Sequence, residues 1–243
     1  MNGYYAVSAF WCIRINMMVI VRIFPAGELG ESWKKVLDNL EMLSNVHCTP
    51  LYLSQREEEK FMTLIYDVKD ADRFADIVVK SIPALLHPEK TRTITLLRPV
   101  FFPAPKERPP NLERYQVAVK GKCGELENIF NHILHLEYPN DAFPTYAAYS
   151  FGEDDILTSM LSTSKDRLGQ YLKLNLEPQS GVTSVVIGHI DRSKRVAPSE
   201  MWKKYRESRY LFKPSAEQEE YDFLEREALH GAREREVETS SFW

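Results

Sequence analysis

The chain has 243 residues, 44% hydrophobic and 27% charged, with 31 basic and 35 acidic side chains and a net charge of -4 at pH 7. That is ordinary globular composition, with apolar material for one large core or two small ones, and its acidic balance argues against a protein whose main task is to grip nucleic acid. Three cysteines, Cys12, Cys48 and Cys123, show no CxxC spacing, which points to reduced thiols in a cytoplasmic protein rather than a disulfide framework or a zinc site.

In chain order, residues 1–17 come first, with the apolar stretch "YYAVSAFWCI" closed by Arg14. It lacks a basic n-region and a small-residue cleavage site, so it is a poor signal peptide. Two readings stay open: an extra apolar segment packed on the domain, or translated leader ahead of a start at Met17 or Met18. No run in the chain reaches the ~18–20 apolar residues of a membrane span, and no membrane partner is expected.

From Met18 to Phe24 the residues alternate as a strand. After Gly27-Glu-Leu, the residues Leu29, Trp33, Val36 and Leu37 recur as the buried stripe of an amphipathic helix. Candidate strands follow at Val46–Gln55 and Phe61–Val68, then a helix from Lys69 with Phe74, Ile77, Val78 and Ile82 on one face, then a strand at Thr91–Phe102. A proline-rich connector follows, with residues 104–113 as the linker between domains. The pattern then repeats. Strand Tyr115–Gly121 leads through a second Gly-Glu-Leu, at Gly124, into a helix striped with Leu126, Phe130, Ile133 and Leu134. Strands at Thr145–Phe151 and Asp155–Ser162, a helix with Leu168, Tyr171, Leu172 and Leu176, and a strand at Thr183–Ile190 complete it.

Each half thus runs β-α-β-β-α-β. The expected fold class is α+β: two tandem ferredoxin-like repeats, residues 18–103 and 114–193, of the dimeric α/β-barrel type. Residues 194–243 are expected to add C-terminal helices, capped by Ser199 and Ser215, and a tail. The strands are apolar at both parities, as in Ile94, Leu96 and Leu97 or Val185, Val186 and Ile187. Helices cover one face of each sheet, so the other faces are expected to cover each other, within the chain or between chains.

The stretch from Gly152 to Ile190 resembles the effector-binding domain of Lrp/AsnC-type regulators. The resemblance lies in a G-x-x-D turn into a strand (Gly152, Asp155), an Asp-rich turn into a helix (Asp166) and Gly-Val-x-Ser before the last strand (Gly181, Val182, Ser184). In the first half Glu59 and Lys60 stand where Gly and Asp are expected. Taken whole, the chain is similar to prokaryotic, mostly archaeal, tandem proteins of that type. The resemblance implies a ligand-sensing module of transcription regulation that self-associates and binds an amino acid or similar effector. Its pocket would draw on Gly152, Asp154, Asp155, Gly181, Val182 and Ser184. A helix-turn-helix domain is missing ahead of the first strand, so specific DNA binding by the chain alone is not expected.

Other chemistry is sparse. His132-x-x-His135 has the i, i+3 spacing of paired metal ligands, but both histidines flank the buried stripe and no third ligand is near, so no metal site is assigned. His47 and Cys48 alternate along a strand and cannot share a pocket; Cys48 is expected in the core. "GEDD" from Gly152 to Asp155 is expected to be a solvated turn first. A basic cluster, Asp191–Arg195 with Lys203, Lys204 and Arg206, and an acidic stretch from Glu217 to Glu227 are expected to be solvated faces. There is no phosphate loop, GxSxG or HExxH, and no cofactor is assigned. A second reading is an enzyme, because facing ferredoxin-like repeats also build the dimeric α/β barrels of small monooxygenases and haem-binding chlorite dismutase relatives. In the haem case His189 and Arg192 would be the proximal histidine and its arginine. A third reading is a pure interaction scaffold.

Overall fold

The computed structural model describes residues 17–102, 105–152 and 154–197. The expectations for residues 1–16, for the C-terminal helices and for Glu153 lie outside the described residues. The fold is α+β, with one antiparallel sheet and few helices. In chain order the elements are β1 (Met17–Pro25), α1 (Leu29–Asp38), β2 (Cys48–Arg56), β3 (Phe61–Val68), α2 (Ala71–Asp76), α3 (Ile82–Leu86), β4 (Pro88–Phe101), β5 (Glu113–Gly121), α4 (Leu126–His135), β6 (Ala142–Phe151), β7 (Ile156–Ser162), α5 (Lys165–Asn175), β8 (Val182–Ile190) and β9 (Arg192–Arg195). A 3-10 turn at Leu40–Leu43 follows α1, and a π turn at Ile77–Ser81 joins α2 to α3.

Local chemistry sets the helix starts. Both α1 and α4 begin at the leucine of Gly-Glu-Leu. Gly124 needs its missing Cβ, since its φ is 89°. Asp70 caps α2 by accepting from the Arg73 N–H at 3.0 Å, and Ser164 caps α5 by accepting from the Arg167 N–H at 3.1 Å. These caps hold equivalent places in the two halves.

The sheet has nine strands in the order β8-β5-β7-β6-β4-β1-β3-β2-β9. Within each half the fourth, first, third and second strands lie side by side in that order. The halves are therefore not two separate sheets laid face to face: the long strand β4 runs on past its own half and pairs with β6, Thr95 opposite Phe151 and Phe101 opposite Tyr146. The sheet curls until its two outer strands meet. β8 pairs with β5 on one edge, and after Asp191 the chain continues as β9, which pairs with β2 on the other. At the seam the Asp191 N–H donates to the Gln55 carbonyl at 3.0 Å, and the Glu57 N–H donates to Asp191 Oδ2 at 2.6 Å. Joining the two edges at this seam covers part of each.

Closure explains why the strands are apolar at both parities. Along β1, Val19, Val21 and Ile23 point at the helices and pack with Trp33, Val36 and Phe74. Met18 and Ile20 point inward and pack with Leu51, Ile94 and Phe101, and with Ala148 and Leu157 from the second half. A separate helix-side core of the second half holds Val117, Val119, Phe130, Ile133, Leu168 and Leu172. The barrel interior is thus the shared core, built from both halves.

Two expected outcomes follow. Trp33 and Phe130, 3% and 4% exposed, sit under α1 and α4 in matching positions, and truncating either to Ala costs about 3–5 kcal/mol, the range for deleting a buried aromatic, read from the urea midpoint. Asp191→Ala removes a charge-assisted bond from the seam and costs about 1–2 kcal/mol by the same measurement, the low end because the side chain is partly exposed.

Candidate functional site

The interior of the barrel is not apolar throughout. At one level the inward parity of several strands turns polar: Ser54 and Arg56 on β2, Thr63 on β3, Arg114 and Gln116 on β5, and Ser159 on β7. These residues surround a cavity of about 180 Å³. Tyr52, Phe101, Phe143 and Tyr146 form much of its apolar wall, and Arg108 and Arg195 also line it.

Two bulges aim the tyrosines. The register of β2 against β3 shifts between Pro50 and Tyr52, and that of β6 against β7 shifts between Pro144 and Tyr146. Proline has no N–H for the ladder, and an extra residue in a strand lets successive side chains point to one side. So Leu51 and Tyr52 both reach the barrel interior, and Thr145 and Tyr146 both line the cavity.

The arginines have unequal support. Arg114 Nη1 donates to Ser159 Oγ at 3.1 Å and to Thr145 Oγ1 at 3.4 Å, and its guanidinium lies 5.6 Å from the Tyr52 ring centroid. Arg56 is 8% exposed. Its Nη1 donates to Gln116 Oε1 at 3.4 Å, Nη2 meets Glu59, and its buried Nε has no hydrogen-bond partner. The Arg56 and Arg22 guanidiniums lie 5.1 and 5.4 Å from the Phe61 centroid. Burial pulls the Arg56 pKa down to about 10, with the like charge of Arg22 adding to the effect. Arg22 is also lowered by burial, against the attraction of Asp154, whose Oδ2 lies 3.8 Å from its Nη2. Burial pushes Tyr146 up to about 12, so it stays a neutral phenol. The site is therefore a cationic, aromatic-walled chamber with no lining carboxylate among the described residues. It is suited to holding a small molecule that carries or develops negative charge on oxygen.

The residues singled out from sequence lie elsewhere. Asp155 Oδ2 accepts from the Gly121 N–H at 2.9 Å, and the Asp155 backbone bonds to Val119 and Ser150; Ile156, one residue on, begins β7. The Asp154 carbonyl accepts from Ser150 Oγ. Gly152 has a φ of 154° and lies against Ile94, while Gly181 has a φ of 87° and leaves no room for a Cβ beside Glu125. Val182 opens β8 opposite Gly121, and Ser184 pairs with Lys120. None of the six lines the cavity; Asp154 alone reaches toward it, through Arg22.

His189 and Arg192 are on the helix side of the sheet. His189 Nδ1 lies 3.0 Å from Asp191 Oδ1 and its Nε2 3.6 Å from Glu113 Oε2, while Arg192 stacks over Trp33 at 4.9 Å. Among the described residues no histidine, cysteine or methionine lines the cavity, so these residues offer no axial ligand to a haem there. His132 Nε2 contacts the Asn175 carbonyl at the end of α5, and His135 Nδ1 contacts Asn131 O. Among the described residues there is no metal-ligating cluster, and no helix is long and apolar enough to cross a membrane. Cys48 is buried in the first helix-side core.

Sequence reading passed over Tyr52, Arg56, Arg114, Gln116 and Tyr146. The usable signal was parity. In "RYQVAV" Tyr115, Val117 and Val119 share one parity while Arg114 and Gln116 share the other, and in "LYLSQR" Tyr52, Ser54 and Arg56 share a parity. "DRSKR" is exposed, as a solvated face would be, and its Arg192–Arg195 also forms β9, which places Arg195 beside Tyr52.

No family model and no curated protein matches the chain. Solved structures do. A protein described as a monooxygenase from Lactobacillus acidophilus NCFM matches with a TM-score of 0.46 at 10% identity, over 74% of this chain and 95% of its own. An anthrone oxidase-like protein gives 0.45 at 6% identity, over 76% and 95%, and a protein described as a chlorite dismutase gives 0.42 at 10%, over 73% and 96%. These names fall with the second reading from sequence and not with the Lrp/AsnC regulators. They overturn that resemblance, and with it the link to transcription regulation. The physical reason is visible in the turns that carried it: Gly152, Asp155 and Gly181 answer needs of backbone and packing that many antiparallel folds share.

Proposed function

We propose that the chain is an enzyme of the α/β-barrel type, with residues 18–103 and 114–193 as two fused ferredoxin-like units, and that it acts on a small organic molecule inside the barrel. The observation that supports this most is the chamber itself, an arginine-and-tyrosine layer bordering a shared apolar core. Polar side chains buried without full pairing cost stability, and their gathering around one cavity marks a site rather than a packing accident. Between the two enzyme classes considered, the side chains favour the monooxygenase kind. The chamber offers cations to an oxyanion and no axial ligand to a haem. Its guanidiniums would stabilise a phenolate or enolate, the electron-rich form of a substrate that oxygen attacks, and its aromatic wall would exclude water.

Two measurements test the reading. In a thermal-shift screen of one- and two-ring phenols and enols, a ligand present at ~100 times its Kd adds about 2.7 kcal/mol, a rise of about 5–10 °C for a chain of this size. The ligand that stabilises should also drive oxygen uptake at an electrode without added haem. A library without a stabilising member, together with no oxygen uptake, rejects the proposal. Haemin titration is expected to leave the Soret band of free haemin unshifted; a shifted, sharpened band that reverts in His189→Ala would instead establish the haem reading.

A further inference from the structure

We propose that the chamber binds a one-ring aromatic carboxylate as its anion, with the carboxylate on Arg56 and the ring among Tyr52, Phe101 and Tyr146. This rests on the barrel interior being the ligand site and adds the chemical class of the ligand.

Size comes first. The cavity is about 180 Å³, and an apolar protein cavity of about 150 Å³ takes one benzene ring. That volume suits a ring with one small substituent.

Charge comes second. Arg56, Arg108, Arg114 and Arg195 line the chamber, and among the described residues no acid, lysine or histidine does. Arginine in place of lysine favours a planar, two-oxygen acceptor, because the guanidinium fork donates two parallel hydrogen bonds.

The third observation is what Arg56 lacks. It is 8% exposed, with an unpartnered buried Nε and a long 3.4 Å bond to Gln116. Its one acidic contact, Glu59, has a side chain 36% exposed on the β2–β3 turn and does not line the cavity. A bound carboxylate would place an opposite charge on the chamber side of Arg56, where none of the described lining residues is acidic.

The fourth observation is Gly188 on β8. A Cβ there would stand 1.5 Å from Arg56 Nη2. The guanidinium occupies the room that this glycine leaves, so Gly188 is a positioning residue for the anion site.

The wall completes the class. Phe101 and Tyr146 lie with ring centroids 6.2 Å apart, and Arg114 over Tyr52 presents a further flat surface. A flat ring gains from such contacts in a way that an aliphatic acid of equal charge does not.

The test is calorimetric titration at pH 7 with benzoate, its neutral isostere benzamide, and inorganic phosphate. It uses the full chain, Arg56→Met and Gly188→Ala. Benzoate is expected to bind at least tenfold more tightly than benzamide or phosphate. Arg56→Met is expected to weaken benzoate at least tenfold while leaving benzamide unchanged, and to keep or raise the melting temperature, because it removes a poorly paired buried charge and leaves Glu59 near solvent. Gly188→Ala moves the flexible end of Arg56 and should also lose benzoate at least tenfold; it decides the matter if Arg56→Met does not fold. Benzamide matching benzoate, phosphate matching it, or variants that bind benzoate as the parent does would each overturn the carboxylate assignment and leave the chamber a ligand site. If benzoate does not bind at all, this assignment falls, and the broader reading is then judged by the library screen alone.

Discussion

The rest of the structure depends on one constraint: each half of the chain makes a four-stranded sheet whose helices cover only one face. The uncovered faces carry Met18, Ile20, Ile94 and Leu96 in one half and Ala148 and Leu157 in the other. Left open they would form an apolar surface far larger than a soluble domain tolerates. Joining β4 to β6 and wrapping β9 onto β2 brings the two faces together around a common interior. A single residue, Asp191, makes the crossing between edges, and its backbone and side chain are both used at the seam.

A barrel of this kind encloses more than it can fill with aliphatic side chains, and what occupies the remainder sets the chemistry. Near Met18, Ile94 and Leu157 the interior is apolar. Toward Arg56 and Arg114 it is polar and cationic, and the two bulges that follow Pro50 and Pro144 swing tyrosines into the same level. The two halves make unequal contributions. Ser54, Thr63 and Arg56, the last packed on Phe61, come from the first, while Arg114, Gln116 and Ser159 come from the second. The chamber is chemically asymmetric although the strand order of the halves is the same, so a ligand inside it would have one orientation.

The Gly152–Asp155 turn shows how a family resemblance can arise from backbone requirements alone. A glycine at positive φ, an aspartate that accepts from a neighbouring N–H and a glycine where a Cβ cannot fit are solutions that antiparallel folds reach repeatedly. Here Asp155 holds Gly121, and Gly181 lies against Glu125. These are duties of a turn, and short motifs made of turn residues carry little information about the ligand.

What the sequence by itself determined is the local order. The period-two and period-3.6 patterns, the duplicated Gly-Glu-Leu helix starts and the paired caps at Asp70 and Ser164 depend on neighbours a few residues away, and the elements formed close to where those patterns lie. The apolar residues at both parities also showed that a second face had to be covered. What only the tertiary structure decided is how it was covered, and so where the site is. Arg56 and Gln116 are 60 residues apart in sequence and meet because the sheet closes. β9 is four exposed residues, Arg192–Arg195, and has no apolar alternation of its own; it is a strand only because β2 offers an unpaired edge. Side-chain patterns report burial, whereas edge pairing is a matter of backbone hydrogen bonds that every residue but proline can make. Sequence therefore disclosed which faces needed a partner, and the pairing of distant edges determined which side chains came to share the chamber.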